Sequence, residues 1–282
     1  MKSALKSIVY DPAALGLASH TAQTRFGKMH YVAPKKPSSK EVMLFIHGFG
    51  SSWTVWTPLI QAAKQHNLLK NTDFLLVDLP SFGKSENNLS HLNSAEIGEE
   101  LLKLCEKLGY SKVRVTGHSM GGFLTLDMAA RHPHLLSVHI VAGTYFRLVR
   151  VANNPLKGMA LSPRLTFYYL FQTMVSRSRF LTKAVNKLYK FLLGPKHKAL
   201  YEVGGRSFLY ASRNGLGFDA TKNWGSIKIP VHGAYGGIDR LVSNEDMQEF
   251  QKILPKAKLS VIEGAGHSLL ITHPNQVALA LY

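Results

Sequence analysis

Cysteine is almost missing from this chain of 282 residues: Cys105 stands alone, so no internal disulfide can form. Its neighbours Leu101, Leu102 and Leu104 place it on the apolar face of a helix, a core position. Acidic side chains are scarce too, 17 Asp and Glu against 34 Lys and Arg, for a formal charge of +17. No apolar run is long enough to span a bilayer, and the stretch from Met1 to Lys6 lacks the features of a secretory signal. Among His, Cys and carboxylates no group has metal-ligand spacing, and neither Gly204-Gly205 nor Gly236-Gly237 makes a phosphate loop. These absences exclude an internally disulfide-bonded fold and a membrane-spanning helix. No metal and no cofactor is expected, and a reducing cytoplasm is the expected compartment.

What is present is unevenly spread. From Tyr145 to Gly225 there are 14 Lys or Arg against only Glu202 and Asp219, so this segment holds +12 of the net charge. Such a segment attracts anionic partners: lipid headgroups, phosphorylated or carboxylated substrates, or nucleic acid without specificity. No nucleic-acid reading motif accompanies it, whereas peripheral contact with an anionic membrane surface fits a basic segment rich in apolar residues. A merely solvated face is the bland alternative. With 45% hydrophobic residues the chain can bury one sizeable core, suited to a single large α/β domain.

Thr21 to Arg25 and Lys28 to Ala33 predict a hairpin around Gly27, followed by a polar linker from Pro34 to Lys40. Continuous apolar runs at 42–46 and 74–77 read as strands, 113–116 and 138–142 continue the pattern, and these alternate with helices at 56–65, 94–108 and 120–131. That alternation predicts a mostly parallel central sheet with helices on both faces. It stops at about Thr144, where a long stretch of helical composition rich in Phe, Tyr and Leu begins. It resumes with a strand at 229–234, a helix at 247–254, a strand at 258–262 and a short last helix at 274–282. The expected organisation is therefore a core of residues 1–143 and 226–282, with 144–225 inserted as a helical, basic cap.

The chemistry is carried by Gly117-His118-Ser119-Met120-Gly121-Gly122, which sets a serine between small residues at a strand-to-helix junction. This is the sequence form of a nucleophile elbow, whose tight turn exposes the serine hydroxyl. A hydroxyl is a weak nucleophile that needs a base, itself oriented by a carboxylate. Asp239 follows one strand and His267 another, both beside glycines, and the order Ser119, Asp239, His267 is the one expected of loops at the carboxyl edge of such a sheet.

With His47-Gly48-Phe49-Gly50 after the third strand and Asp78-Leu79-Pro80-Ser81-Phe82-Gly83-Lys84-Ser85 after the fourth, the chain resembles the α/β-hydrolase superfamily. The likeness is to its cap-bearing members, which include esterases, lipases, carbon–carbon bond hydrolases and cofactor-free haloperoxidases. It implies Ser119 as nucleophile, His267 as base then acid, Asp239 as orienting carboxylate, and the N–H groups of Phe49 and Met120 as oxyanion hole. Donors of this kind are worth about 3–4 kcal/mol each. Ser81 departs from the glycine common at its position. Ser119 itself argues against the dehalogenases and epoxide hydrolases of the superfamily, which carry aspartate there.

Further groups take structural readings: Asp78 in its loop, His47 and His118 hydrogen-bonded in the site wall, Asp127 on a helix. Phe49, Trp53, Met120, Tyr145, Phe146 and Leu241 are the candidate substrate-binding residues. An aromatic, basic cap suggests a small-molecule ester with a hydrophobic acyl part, although the same aromatics could pack the cap onto the core. Hydrolysis of an acidic diketone, haloperoxidase-like or acyl-transfer chemistry, and a ligand-binding receptor on the same scaffold remain open at this level.

Overall fold

The computed structural model describes residues 11–86, 94–143 and 221–282, with isolated positions between 174 and 187. Its strands form one eight-stranded sheet in the order β1-β2-β4-β3-β5-β6-β7-β8. These are β1 (Ala18–Thr24), β2 (Gly27–Ala33), β3 (Glu41–Ile46), β4 (Asp73–Val77), β5 (Lys112–His118), β6 (Ser137–Val141), β7 (Val231–Gly236) and β8 (Lys258–Ile262). From β4 through β8 every neighbouring pair is parallel, while β2 runs antiparallel to both β1 and β4. The sheet is therefore mostly parallel, as the alternating pattern predicts.

β4 and β6 are buried at every position, and β3 at all but its first, which is why β3 and β4 read as unbroken apolar runs rather than as alternations, while β6 also buries Ser137 and His139. The hairpin turns through Arg25 and Phe26, with Thr24 paired to Gly27, so Gly27 opens β2 rather than forming the pivot. Thr24 closes the turn: its hydroxyl accepts from the Phe26 N–H at 3.1 Å and donates to the Gly27 carbonyl at 2.8 Å.

The helices are α1 (Thr57–Gln65), α2 (Ser94–Lys107), α3 (Met120–Arg131), α4 (Thr221–Trp224), α5 (Asn244–Ile253), α6 (Leu269–Thr272) and α7 (Pro274–Leu281) among the described residues. From β3 the chain crosses through α1 to β4, then returns past β3 through α2 to β5 and continues outward. With right-handed crossovers that reversal sets α1 on one face and α2, α3 and α5 on the other. The packing agrees: α1 meets α7, and α2 meets α3. Phe45, Trp56 and Phe74 fill one layer, with ring centroids 5.2 and 5.9 Å apart. Phe123, Trp224 and Phe250 fill the other, at 4.8 and 5.9 Å.

Several bounds differ from the sequence expectation by a few residues, and two of the differences have a clear local cause. β7 begins at Val231, because Pro230 has no N–H to enter a ladder and contributes only its carbonyl, which accepts from Val138. α5 begins at Asn244, three residues early, because Ser243 and Asp246 form a reciprocal capping box. Cys105 is buried on α2, and burial pushes its thiol up to about 12. Among the described residues no helix is long and apolar enough to cross a membrane, and no group of three or more His, Cys, Asp or Glu is placed to hold a metal ion.

Candidate active site

The reversal of strand order at β3 and β5 opens a crevice at the carboxyl ends of the strands, where ligands bind in open parallel sheets. Ser119 stands at the tip of β5, and α3 starts at the next residue. Its backbone takes φ 51° and ψ −118°, a region costly for a residue with a Cβ. Neighbouring glycines make so sharp a junction fit. A Cβ on Gly121 would strike the main-chain carbonyl of Ile46, and one on Gly117 the carbonyl of Gly121. The strained turn is further held by the Ser119 N–H, which donates to Val141 O at 2.9 Å.

His267 follows β8 and Asp239 follows β7, and the fold brings both to Ser119. Nε2 of His267 lies 2.9 Å from Ser119 Oγ, and its Nδ1 lies 2.8 Å from Asp239 Oδ2. The carboxylate side chain is fully buried and the imidazole largely so. Oδ1 of Asp239 accepts from the N–H groups of Leu241 at 2.8 Å and Val242 at 3.2 Å. Burial pushes this carboxyl up, but the hydrogen bond and charge of His267, with those two N–H donors, outweigh it and hold Asp239 below its ordinary range. An ionised Asp239 fixes the proton of a neutral His267 on Nδ1 and leaves Nε2 free to accept one from the serine. Such an arrangement can generate an oxygen nucleophile at neutral pH.

Met120 is the first residue of α3, so its N–H has no acceptor within the helix, and it points from the positive end of the helix dipole. Phe49 lies on the loop after β3, edge-on to Phe82 at 5.7 Å, and Phe82 also packs edge-on to His47 at 5.4 Å. That loop is fixed by two groups read as structural from the sequence. His47 donates from Nδ1 to Gly48 O at 2.7 Å and accepts at Nε2 from the Leu79 N–H at 3.0 Å; burial holds it below its ordinary pKa. Asp78 accepts from the N–H groups of Trp53 at 2.7 Å and Lys84 at 2.9 Å, and pairs with His30 Nδ1 at 2.8 Å. The role of His30, on β2, escaped sequence reasoning. A buried histidine 48 residues from its carboxylate leaves no local signal.

Of the candidate substrate-binding residues, Phe49 and Met120 are partly buried, Met120 directly after Ser119 and Phe49 directly after Gly48, which closely approaches Ser119, and Leu241 is exposed two residues from Asp239. Trp53 is only 3% exposed and packs within the hydrophobic core. Tyr145 and Phe146 lie outside the described residues, as does most of the segment 144–225. Asp127 sits on α3 away from the site, accepting from Ser94 Oγ at 2.8 Å and paired with Arg131 at 3.1 Å.

Comparison with known proteins agrees with this architecture. A family model described as the alpha/beta hydrolase fold matches residues 41–274. The pimeloyl-(acyl-carrier protein) methyl ester esterase of Vibrio vulnificus (strain CMCP6) is 23% identical over 246 residues, covering 82% of this chain and 89% of that protein. Lipase 1 of Psychrobacter immobilis is 23% identical over 250 residues, covering 84% and 74%. The epoxide hydrolase VrEH1 of Vigna radiata superposes with a TM-score of 0.67 at 18% identity, over 94% of this chain and 96% of that structure. A likeness at that level speaks for the fold alone. With the family model spanning most of its length, the chain belongs to the alpha/beta hydrolase fold family.

Proposed function

We propose that this protein is a serine hydrolase that cleaves carboxylic esters with a hydrophobic acyl part through an acyl-enzyme on Ser119. The observation that carries the reading is the unbroken hydrogen-bonded chain from Ser119 Oγ through His267 to buried Asp239. Oγ attacks the ester carbonyl while its proton passes to His267 Nε2, and the oxyanion that forms is met by the N–H groups of Phe49 and Met120. Collapse expels the alcohol, which takes the proton from His267. Water then attacks the acyl-serine, giving its proton to the same nitrogen, and the acid leaves as Ser119 recovers its hydrogen. Asp239 stays ionised and stabilises the imidazolium at both stages.

Esterase and lipase activities among the relatives support an ester as the substrate. Residues 144–225 are assigned as a cap over this site, with Tyr145 and Phe146 joining Phe49, Met120 and Leu241 around the acyl chain. The charge of that segment supports peripheral contact with an anionic membrane surface, a source of lipid-derived esters. A chain-length series of p-nitrophenyl esters and labelling by a fluorophosphonate probe test the reading, each with Ser119→Ala as control. Ser119-dependent turnover that rises with acyl length is expected. Absence of such turnover at every length, or labelling that persists in Ser119→Ala, overturns it.

A further inference from the structure

His118 precedes Ser119 on β5 yet takes no part in the chain from serine to carboxylate. Its ring is 9% exposed, set edge-on to Trp56 at 6.5 Å and tilted against His267 at 5.2 Å. Nε2 of His118 lies 3.1 Å from the main-chain carbonyl oxygen of His267, a bond across 149 residues of sequence. A carbonyl only accepts, so Nε2 carries the proton of the neutral ring. Nδ1 is buried with no hydrogen-bond partner. Burying an unpaired acceptor is unfavourable, and a side chain present only to fill this space would be apolar.

We propose that His118 is a positioning residue for the general base: its Nε2–H pins the main chain of His267 and thereby sets where the imidazole meets Ser119. The inference rests on the roles proposed above for Ser119 and His267. His267 lies on a glycine-containing loop after β8, in which Gly264 takes φ 70°, so its main chain is weakly restrained by sequence alone. β5 is flanked by β3 and β6, well inside the sheet. With the donor as the last residue of that strand and the nucleophile as the residue that follows it, the Oγ-to-Nε2 distance is referred to one rigid element. Burial, reinforced by the neighbouring His267, pushes the His118 ring down to about 3. The pin therefore adds no second positive charge when His267 takes up a proton.

The test uses a p-nitrophenyl ester that the wild type turns over. His118→Met keeps bulk and loses the donor, whereas His118→Gln keeps an amide N–H with comparable reach. A fall in kcat of about 10- to 100-fold is expected for the Met variant, with KM within about 2-fold, because small misplacements of a reacting group are costly. The Gln variant should recover kcat to within about 5-fold of wild type. His118→Asn, whose amide is too short to reach the carbonyl, should repeat the loss and serves if the Met variant does not fold. Equal kcat in the Gln and Asn variants, or a loss expressed in KM rather than kcat, overturns the inference. A wild type without Ser119-dependent turnover or fluorophosphonate labelling instead overturns the hydrolase reading, and this inference with it.

Discussion

Asp239 faces His267 with one carboxylate oxygen and the N–H groups of Leu241 and Val242 with the other, so its two oxygens have separate duties. Asp239→Asn cannot keep both. If the amide oxygen stays on Leu241 and Val242, the amide NH2 turns toward His267 Nδ1 and forces the ring proton onto Nε2. That tautomer has no lone pair for the Ser119 proton. The expected result is a fall in kcat of about 10³- to 10⁴-fold on the proposed esters, with the thermal midpoint showing a folded protein. Steady-state kinetics with a matched circular dichroism melt check it.

Acid should destabilise this protein well before its carboxylates titrate. Burial, with His232 beside it, pushes His139 down to about 3, and His118 is pushed as low. His139 contacts Ser137, His232 and Tyr282, and Arg114 bears on it electrostatically. Each ring stays neutral in the folded chain and becomes charged in the unfolded one below about pH 6.5. Their contribution is therefore complete above that value and drains away as the pH falls toward 3. Asp78 and Asp239, held below their ordinary range, add a further loss only at more acid pH. Urea midpoints should decline from about pH 6.5 downward, and His139→Gln should flatten the slope by up to about 1.4 kcal/mol per pH unit.

Local chemistry decided what could be read without coordinates. β3 and β4 were legible because burial on both faces favours unbroken apolar runs, and Ser119, Asp239 and His267 because loops at strand ends carry turn residues as well as function. The start of α5 could have been found: Ser243 and Asp246 are a capping signal, masked by the polar residues between them. The pairing of His30 with Asp78 and the bond from His118 to the His267 carbonyl have no such signature. Both join residues distant in sequence, and a histidine looks the same whether it fills a core, holds a loop or moves a proton.

The elbow depends on missing atoms as much as on those present. Gly121→Ala would drive a methyl group into the Ile46 carbonyl at the end of β3, just before the loop that carries Phe49. Backbone cannot yield as a side-chain tip does, so a loss of about 1–3 kcal/mol is expected, with slower fluorophosphonate labelling of whatever folds. Gly225→Ala, where nothing lies within 4 Å of the added carbon, should stay within about 0.5 kcal/mol of wild type. Urea unfolding of the pair separates close approach from a general intolerance of alanine.

Ser81, the departure from the glycine expected after Pro80, keeps a glycine's backbone: its φ is 70°, inside the turn where its N–H donates to Glu86 O at 3.0 Å. Its hydroxyl is buried without a hydrogen-bond partner. The position therefore carries two unfavourable terms at once, a left-handed conformation with a Cβ and an orphaned polar group. Ser81→Gly removes both, at the expense of a more flexible unfolded chain, and should stabilise the protein by about 1 kcal/mol. Ser81→Ala removes only the hydroxyl, so it should recover part of that gain. A thermal midpoint for Ser81→Gly at or below that of Ser81→Ala would show that the strain relieved at this position does not exceed the entropy that glycine adds to the unfolded chain, and would overturn the expected gain.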